Sequence, residues 1–108
     1  MGFIYLISSG LTDKYKIGVS KKPPNRKKEL QTGNPFELSV VKYYESEFCY
    51  KIESVLHRLL KYKKYVSEDF SYLKGEWFNL TNEDVKNFVF NCKKIEKGII
   101  IVKKDLSS

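Results

Sequence analysis

Phe3-Ile4-Tyr5-Leu6-Ile7 and, after a short polar stretch, Tyr15-Lys16-Ile17-Gly18-Val19-Ser20 decide how the rest of the chain is read. Both runs are short, apolar and rich in β-branched and aromatic residues, which marks them as strands. The polar stretch from Ser8 to Asp13 joins them as a hairpin, without the Asn-Gly pair of the tightest turns. With Tyr5 opposite Lys16, alternation places Ile4, Leu6, Tyr15 and Ile17 on one face, the natural core face. Tyr5, Lys16 and Gly18 then share the other. Arg26 follows Gly18 by eight residues, in the first turn of a predicted helix. A phenol, an amine, a glycine and a guanidinium are thereby directed towards one patch.

Working outward, Ser20 to Gly33 opens a helix, with Pro23 and Pro24 tolerated in its first turn and Gly33 as its stop. Leu30 anchors this helix to the sheet; Arg26, one turn earlier, points inward on the same face, and Lys27 and Lys28 point out. Taken without the Gly18 spacing, Arg26 reads as one more solvated base. Phe36 to Tyr44 is a third strand: Phe36, Leu38 and Val40 alternate inward, Val41 and Tyr43 continue on the other face, and the break is a candidate bulge.

Ser46 caps a long helix running to about Tyr62, with Glu47 in its first turn. Phe48, Ile52, Val55, Leu56, Leu59 and Leu60 form its apolar stripe, and Glu53 and His57 stand one turn apart along the stripe's edge. From the helix alone these two are equally a surface pair. Lys61 to Lys74 interleaves bases and aromatics, a pattern that serves phosphate contact with base stacking or simply covers a core. Gly75 to Leu80 is a turn into a short strand or extended segment, anchored by Trp77 and Phe78. Thr81 caps a last helix that Gly98 ends. Ile99-Ile100-Ile101-Val102 is expected to be a strand, either an added edge or a homodimer contact, followed by a loose tail from Lys104 to Ser108.

Phe3-Ile4-Tyr5, Lys16-Ile17-Gly18, Arg26, Glu53-x-x-x-His57 and Gly75-Glu76-Trp77-Phe78 occur in the order and spacing of a known family. The chain resembles the GIY-YIG nucleases, in particular the small branch found in phages, large DNA viruses and some cellular proteins. The resemblance covers roughly Gly2 to Leu80. Phe3 stands where the family name has glycine, and Lys16 replaces the second tyrosine. The resemblance implies an α+β fold: a small, mainly antiparallel three-stranded sheet flanked by helices. It places a nuclease domain over 1–96 and leaves 97–108 as an extension carrying the extra strand and tail.

It also implies a divalent-metal-dependent DNA endonuclease. Glu53 would hold a single Mg²⁺ or Mn²⁺ ion, since hard cations take oxygen ligands and keep several waters. Arg26 would contact the scissile phosphate through its fork of donors. Tyr5 would position or deprotonate the attacking water, which requires a nearby cation to favour its phenolate. Lys16 could supply that cation, bind phosphate or act as a base, and His57, the sole histidine, could act as a base or proton shuttle. Lys21, Lys22, Lys27, Lys28, Lys63 and Lys64 are candidates for the DNA backbone.

Composition agrees in outline. At 108 residues the chain suggests one domain with a modest core. A net charge of +7 suits a polyanionic partner, and equally a lysine-rich surface from an A+T-rich genome. Cys49 and Cys92 have neither zinc nor C-x-x-C spacing and read as inert core thiols of an intracellular protein, in cytoplasm, nucleus or a virus-infected cell. No run has the length of a membrane helix, no signal peptide is evident, and no small-molecule cofactor is expected. Two other readings stay open: a binding module of the same fold that does not cut, and a protein-interaction domain with a buried polar network.

Overall fold

Strand β1 (Gly2–Ser9) takes the middle of the sheet because both of its faces are apolar: Ile4 and Leu6 on one, Tyr5 and Ile7 on the other, all buried. The computed structural model describes residues 1–10, 12–65 and 77–107. Within them β1 is followed by β2 (Lys14–Ser20), α1 (Pro23–Gln31), β3 (Leu38–Ser46), α2 (Cys49–Leu59), a 3₁₀ turn (Lys61–Lys63), β4 (Trp77–Asn79), α3 (Asn82–Lys86) and α4 (Phe88–Ser107). The sheet is antiparallel in the order β3-β1-β2-β4. The α+β architecture is the expected one. Its fourth strand is the Trp77–Asn79 segment, pairing with the outer edge of β2.

The hairpin register differs from the expected one by two residues. Tyr5 pairs with Gly18, and Lys16 with Ile7. The turn accounts for the shift: Gly10 takes φ +57°, and the Thr12 hydroxyl and amide both donate to the Ser9 carbonyl, which extends β1 to Ser9. An even shift leaves the faces unchanged, so Tyr5, Lys16 and Gly18 still share one. The expected bulge in β3 exists. Leu6 pairs with Lys42 and Ile7 with Val40, leaving Val41 as the extra residue. Its effect is opposite to the expected one: it returns Tyr43 to the face of Leu38 and Val40, beside Tyr5. Phe36, expected to point inward, precedes the strand and is exposed.

Two apolar clusters lie on the two sides of this sheet. Ile4, Leu6, Ile17 and Phe78 pack with Cys49, Ile52 and Leu56 of α2 and with Phe88 and Cys92 of α4. On the other side Tyr5, Ile7, Leu38 and Trp77 pack with Leu30 of α1. Leu30 is therefore the anchor the sequence suggested. Adjacent Trp77 and Phe78 serve opposite clusters, as alternation along β4 requires.

Several boundaries are corrected. Ser46 ends β3 rather than capping α2; its hydroxyl accepts from the Phe48 amide and donates to Glu96 of α4. Helix α2 stops at Leu59, which is exposed. Thr81 does cap α3, in a reciprocal capping box with Asp84. The expected strand at Ile99–Val102 is helix, as is the tail from Lys104 to Ser107. Phe88, Cys92, Ile95 and Ile99 recur at three- and four-residue spacing and lie against the larger cluster. That packing carries the helix through Gly98, whose penalty is only about 1 kcal/mol. No described helix is long and apolar enough to cross a membrane.

Candidate active site

The site begins with a missing side chain. A Cβ on Gly18 would lie 2.3 Å from the Tyr5 hydroxyl and 2.6 Å from its Cζ. The phenol is therefore laid flat across β2 through a gap that only glycine leaves. Among the described residues, β4 pairs with Lys14, Tyr15 and Lys16. Tyr5 has its ring within the smaller cluster and its hydroxyl over Gly18.

Arg26 approaches this hydroxyl from the first turn of α1, close enough for its charge to act on the phenol. The prolines set the approach. Pro23 and Pro24 fill the first two helical positions, and Pro23 is buried, which fixes the start of α1 against the sheet. Arg26 Nη1 also donates to Glu29 Oε2 at 2.8 Å, across one helical turn. Both partners raise the Arg26 pKa, Glu29 more than Tyr5. Glu29 was not singled out in the sequence; its i,i+3 spacing from Arg26 was the available signal.

The electrostatics of Tyr5 run against the simplest expectation. Burial pushes the phenol above its ordinary value; the Arg26 hydrogen bond and charge pull it down, and the charges of Glu53 and Glu29 raise it further. The net shift is upward: the cation acting on the phenol is Arg26, where the sequence suggests Lys16, and burial outweighs it.

Glu53 is half-buried on α2 and close enough for its charge to act on Tyr5. Among the described residues no group of three or more His, Cys, Asp or Glu side chains converges. This donor set suits a hard cation held by one carboxylate and its own waters, and does not suit a zinc cage. His57, one turn on, is fixed by its surroundings. Its Nε2 donates to the Ile17 carbonyl at 2.8 Å, and its ring stands edge-to-face on Phe78 with centroids 5.1 Å apart. That bond sets the tautomer and spends one ring nitrogen on holding α2 to β2.

Lys16 lies on the Tyr5 face but two residues along β2, between Ile7 and Trp77, and is only 9% exposed. The aliphatic stem is thus packed among apolar neighbours. Of the candidate backbone-binding lysines, Lys21, Lys22, Lys28 and Lys64 are exposed and Lys27 half-exposed. Lys63 is ion-paired with Asp84 of α3. The basic and aromatic run from 66 to 74, together with Gly75 and Glu76, lies outside the described residues. Cys49 and Cys92 are free and buried; burial, then the Glu96 charge, pushes the Cys92 thiol up to about 12, an inert form.

Residues 2–97 match a family described as the T5orf172 domain. No curated protein and no solved structure matches the chain.

Proposed function

The chain belongs to the T5orf172 domain family, which is GIY-YIG-like and associated with nuclease function, and on that premise we propose that it is a divalent-metal-dependent DNA endonuclease. The observation that carries this reading is the Tyr5 phenol, laid over Gly18 against the Arg26 guanidinium and within reach of the Glu53 charge. Three elements of the chain, β1, α1 and α2, supply those groups.

Phosphodiester hydrolysis needs an oriented water, neutralised phosphoryl oxygens and help for the leaving oxygen. Arg26 serves the second need: its guanidinium exchanges the exposed Glu29 carboxylate for a phosphate. Tyr5 serves the first, orienting the water with a neutral hydroxyl. Glu53 would hold Mg²⁺ or Mn²⁺, which when bound supplies Lewis-acid charge for the leaving oxygen. His57 positions the helix that carries Glu53. Lys16 adds a positive charge on the same face, and the exposed lysines flanking α1 hold the backbone of the substrate.

The direct test is incubation of supercoiled plasmid with the protein and Mg²⁺ or Mn²⁺. Nicking is expected, and Glu53→Ala should abolish it while DNA binding persists. A folded protein that binds but never nicks at any pH from about 6 to 9 would instead be the non-cleaving module of the same fold. The raised Tyr5 phenol is the one observation that favours this second reading.

A further inference from the structure

Beside the phenol, on the same face of the sheet, lies a groove of about 490 Å³ with no part in the chemistry above. That volume falls within the range of small-ligand pockets. Its floor is β1 and β3, through Phe3, Val40 and Tyr43, and one wall is the Pro23-Pro24 start of α1. Its mouth carries Lys21 and Lys22. We propose that this groove receives one unpaired nucleobase of the DNA strand being cut, adjacent to the scissile phosphate, so that the substrate is single-stranded or locally frayed DNA.

The aromatic floor is the first argument. The Phe3 and Tyr43 rings meet edge-to-face, with centroids 5.7 Å apart and planes at 72°, so each fixes the orientation of the other. Tyr43 nevertheless remains 61% exposed. The pairing leaves an ordered ring surface facing solvent, and a base stacks on such a surface whatever its identity. The bulge at Val41 creates this floor by turning Tyr43 to the Tyr5 side.

Charge and chemistry at the rim are the second. A helix start ordinarily attracts anions through its free amides, but prolines at the first two positions remove two of those donors. The wall is left apolar, fit for the edge of a base and unfit for a phosphate. Phosphate contact falls to Lys21 and Lys22, and the Lys22 backbone is held in place. The Lys22 amide donates to the Ser20 hydroxyl at 3.0 Å, and the following proline restricts the Lys22 backbone to extended conformations. An apolar slot with an aromatic floor and two cations at its mouth matches a nucleotide.

Position is the third. Phe3 and Tyr5 are alternate residues on one face of β1, about 7 Å apart, and Asn25 on the groove's wall immediately precedes Arg26. A phosphate held by Arg26 would therefore have its neighbouring base at the groove. In a duplex that base is stacked and paired, so occupancy requires the strand to be open. This placing beside the scissile phosphate rests on the nuclease reading; the binding of an unpaired base does not.

The test uses the full chain in EDTA, which prevents cleavage, and a short single-stranded oligonucleotide carrying one 2-aminopurine. Binding should quench the 2-aminopurine fluorescence. It should also be tighter than binding of the matched duplex at the same salt. Tyr43→Ala should weaken single-strand binding about tenfold, the size of one base–aromatic stack, and remove most of the quench, with Tyr43→Phe restoring both. Phe90→Ala, which removes an exposed ring on α4, should leave both unchanged. Equal affinity for duplex and single strand, or an unaltered quench in a folded Tyr43→Ala protein, overturns the groove assignment even if the plasmid is nicked. Quenching that depends on Tyr43 sustains it even if no nicking is ever seen.

Discussion

On the α2–α4 side of the sheet, Ile4, Leu6, Ile17 and Phe78 are covered by two helices; on the α1 side, among the described residues, Tyr5, Ile7, Leu38 and Trp77 are covered by the short helix α1, through Pro23 and Leu30, and by Tyr65. The first side is dense and apolar. Its polar contacts, such as Glu96 accepting from Tyr44 at 2.7 Å and from Ser46, tie α4 to β3. The second side is thin, and its polar and aromatic groups reach solvent: Arg26, Lys21, Lys22 and Tyr43. The difference teaches that the dense packing lies on one face while the phenol and guanidinium of the proposed site lie on the other, with Glu53 reaching it from α2. Substitutions on the two should separate packing from the proposed chemistry.

The largest contrast sets Arg26→Ala against Leu56→Ala. Losing the guanidinium should slow plasmid nicking about 10³-fold, as loss of a phosphate-clamping arginine does. Its side chain is 41% exposed, so unfolding free energy should move by less than about 0.5 kcal/mol. Leu56→Ala opens a cavity between α2 and the sheet and should cost about 2–5 kcal/mol, while the remaining folded protein keeps its rate per molecule. Urea titrations alongside nicking rates check both. A large stability loss in Arg26→Ala would break the division between the faces.

Gly18→Ala tests the gap directly. The added methyl must displace the Tyr5 hydroxyl, and a catalytic group moved by about 1 Å can cost about 10²-fold in rate. Overpacking should cost about 1–3 kcal/mol. DNA binding should be unaffected, as read by salt-dependent anisotropy, because Gly18 touches no backbone-binding lysine.

How much of this was readable in the sequence follows from which interactions are local. Period-two alternation assigned Tyr5, Gly18 and Lys16 to one face although the register was misplaced, because an even slip preserves faces. Thr81 and the Val41 bulge were visible for the same reason: a cap and a broken alternation each span a few residues. The C-terminal run failed because Ile99-Ile100-Ile101-Val102 reads as strand by propensity, whereas its spacing from Phe88, Cys92 and Ile95 continues a helix seam. Ser46 failed because its partner, Glu96, is 50 residues away. The upward shift of Tyr5 could not be read at all, since it depends on how deeply α1 and Trp77 bury the ring.

A smaller effect should come from Glu96→Gln on the dense side. Its carboxylate accepts two hydroxyl hydrogen bonds, and weakening them should cost about 1–3 kcal/mol. The pH dependence has a definite sign. The hydrogen bond to Glu96, then burial, raises Tyr44 to about 12 from its ordinary value of 10.0. The folded state thus holds the Tyr44 proton more tightly than the unfolded chain does. The stabilisation is fully present below about pH 10 and is lost as pH rises towards 12. Thermal melts of the parent should fall across that window, and those of Glu96→Gln should fall less steeply. Equal slopes would mean that this contact does not couple α4 to β3.

Lys63 gives the smallest and most discriminating effect. In the sequence it belongs to a basic run directed at DNA, together with Lys64. In the structure its ammonium is ion-paired with Asp84, which also caps α3 by accepting from the Thr81 amide at 2.9 Å. Burial alone would raise the Asp84 carboxyl, but Lys63 and the Thr81 donors outweigh it and hold the group below the usual carboxylate range. A cation already neutralised in this way releases few counterions from DNA. Lys63→Ala should therefore cost at most about 1 kcal/mol of stability, the worth of a partly exposed pair. It should leave the slope of log affinity against log salt almost unchanged. Lys28→Ala, on the exposed side of α1, should do the reverse: no change in stability and a slope smaller by about one. Should Lys63→Ala reduce that slope as much as Lys28→Ala, the Asp84 pair opens on binding, and the thin face is not alone in meeting DNA.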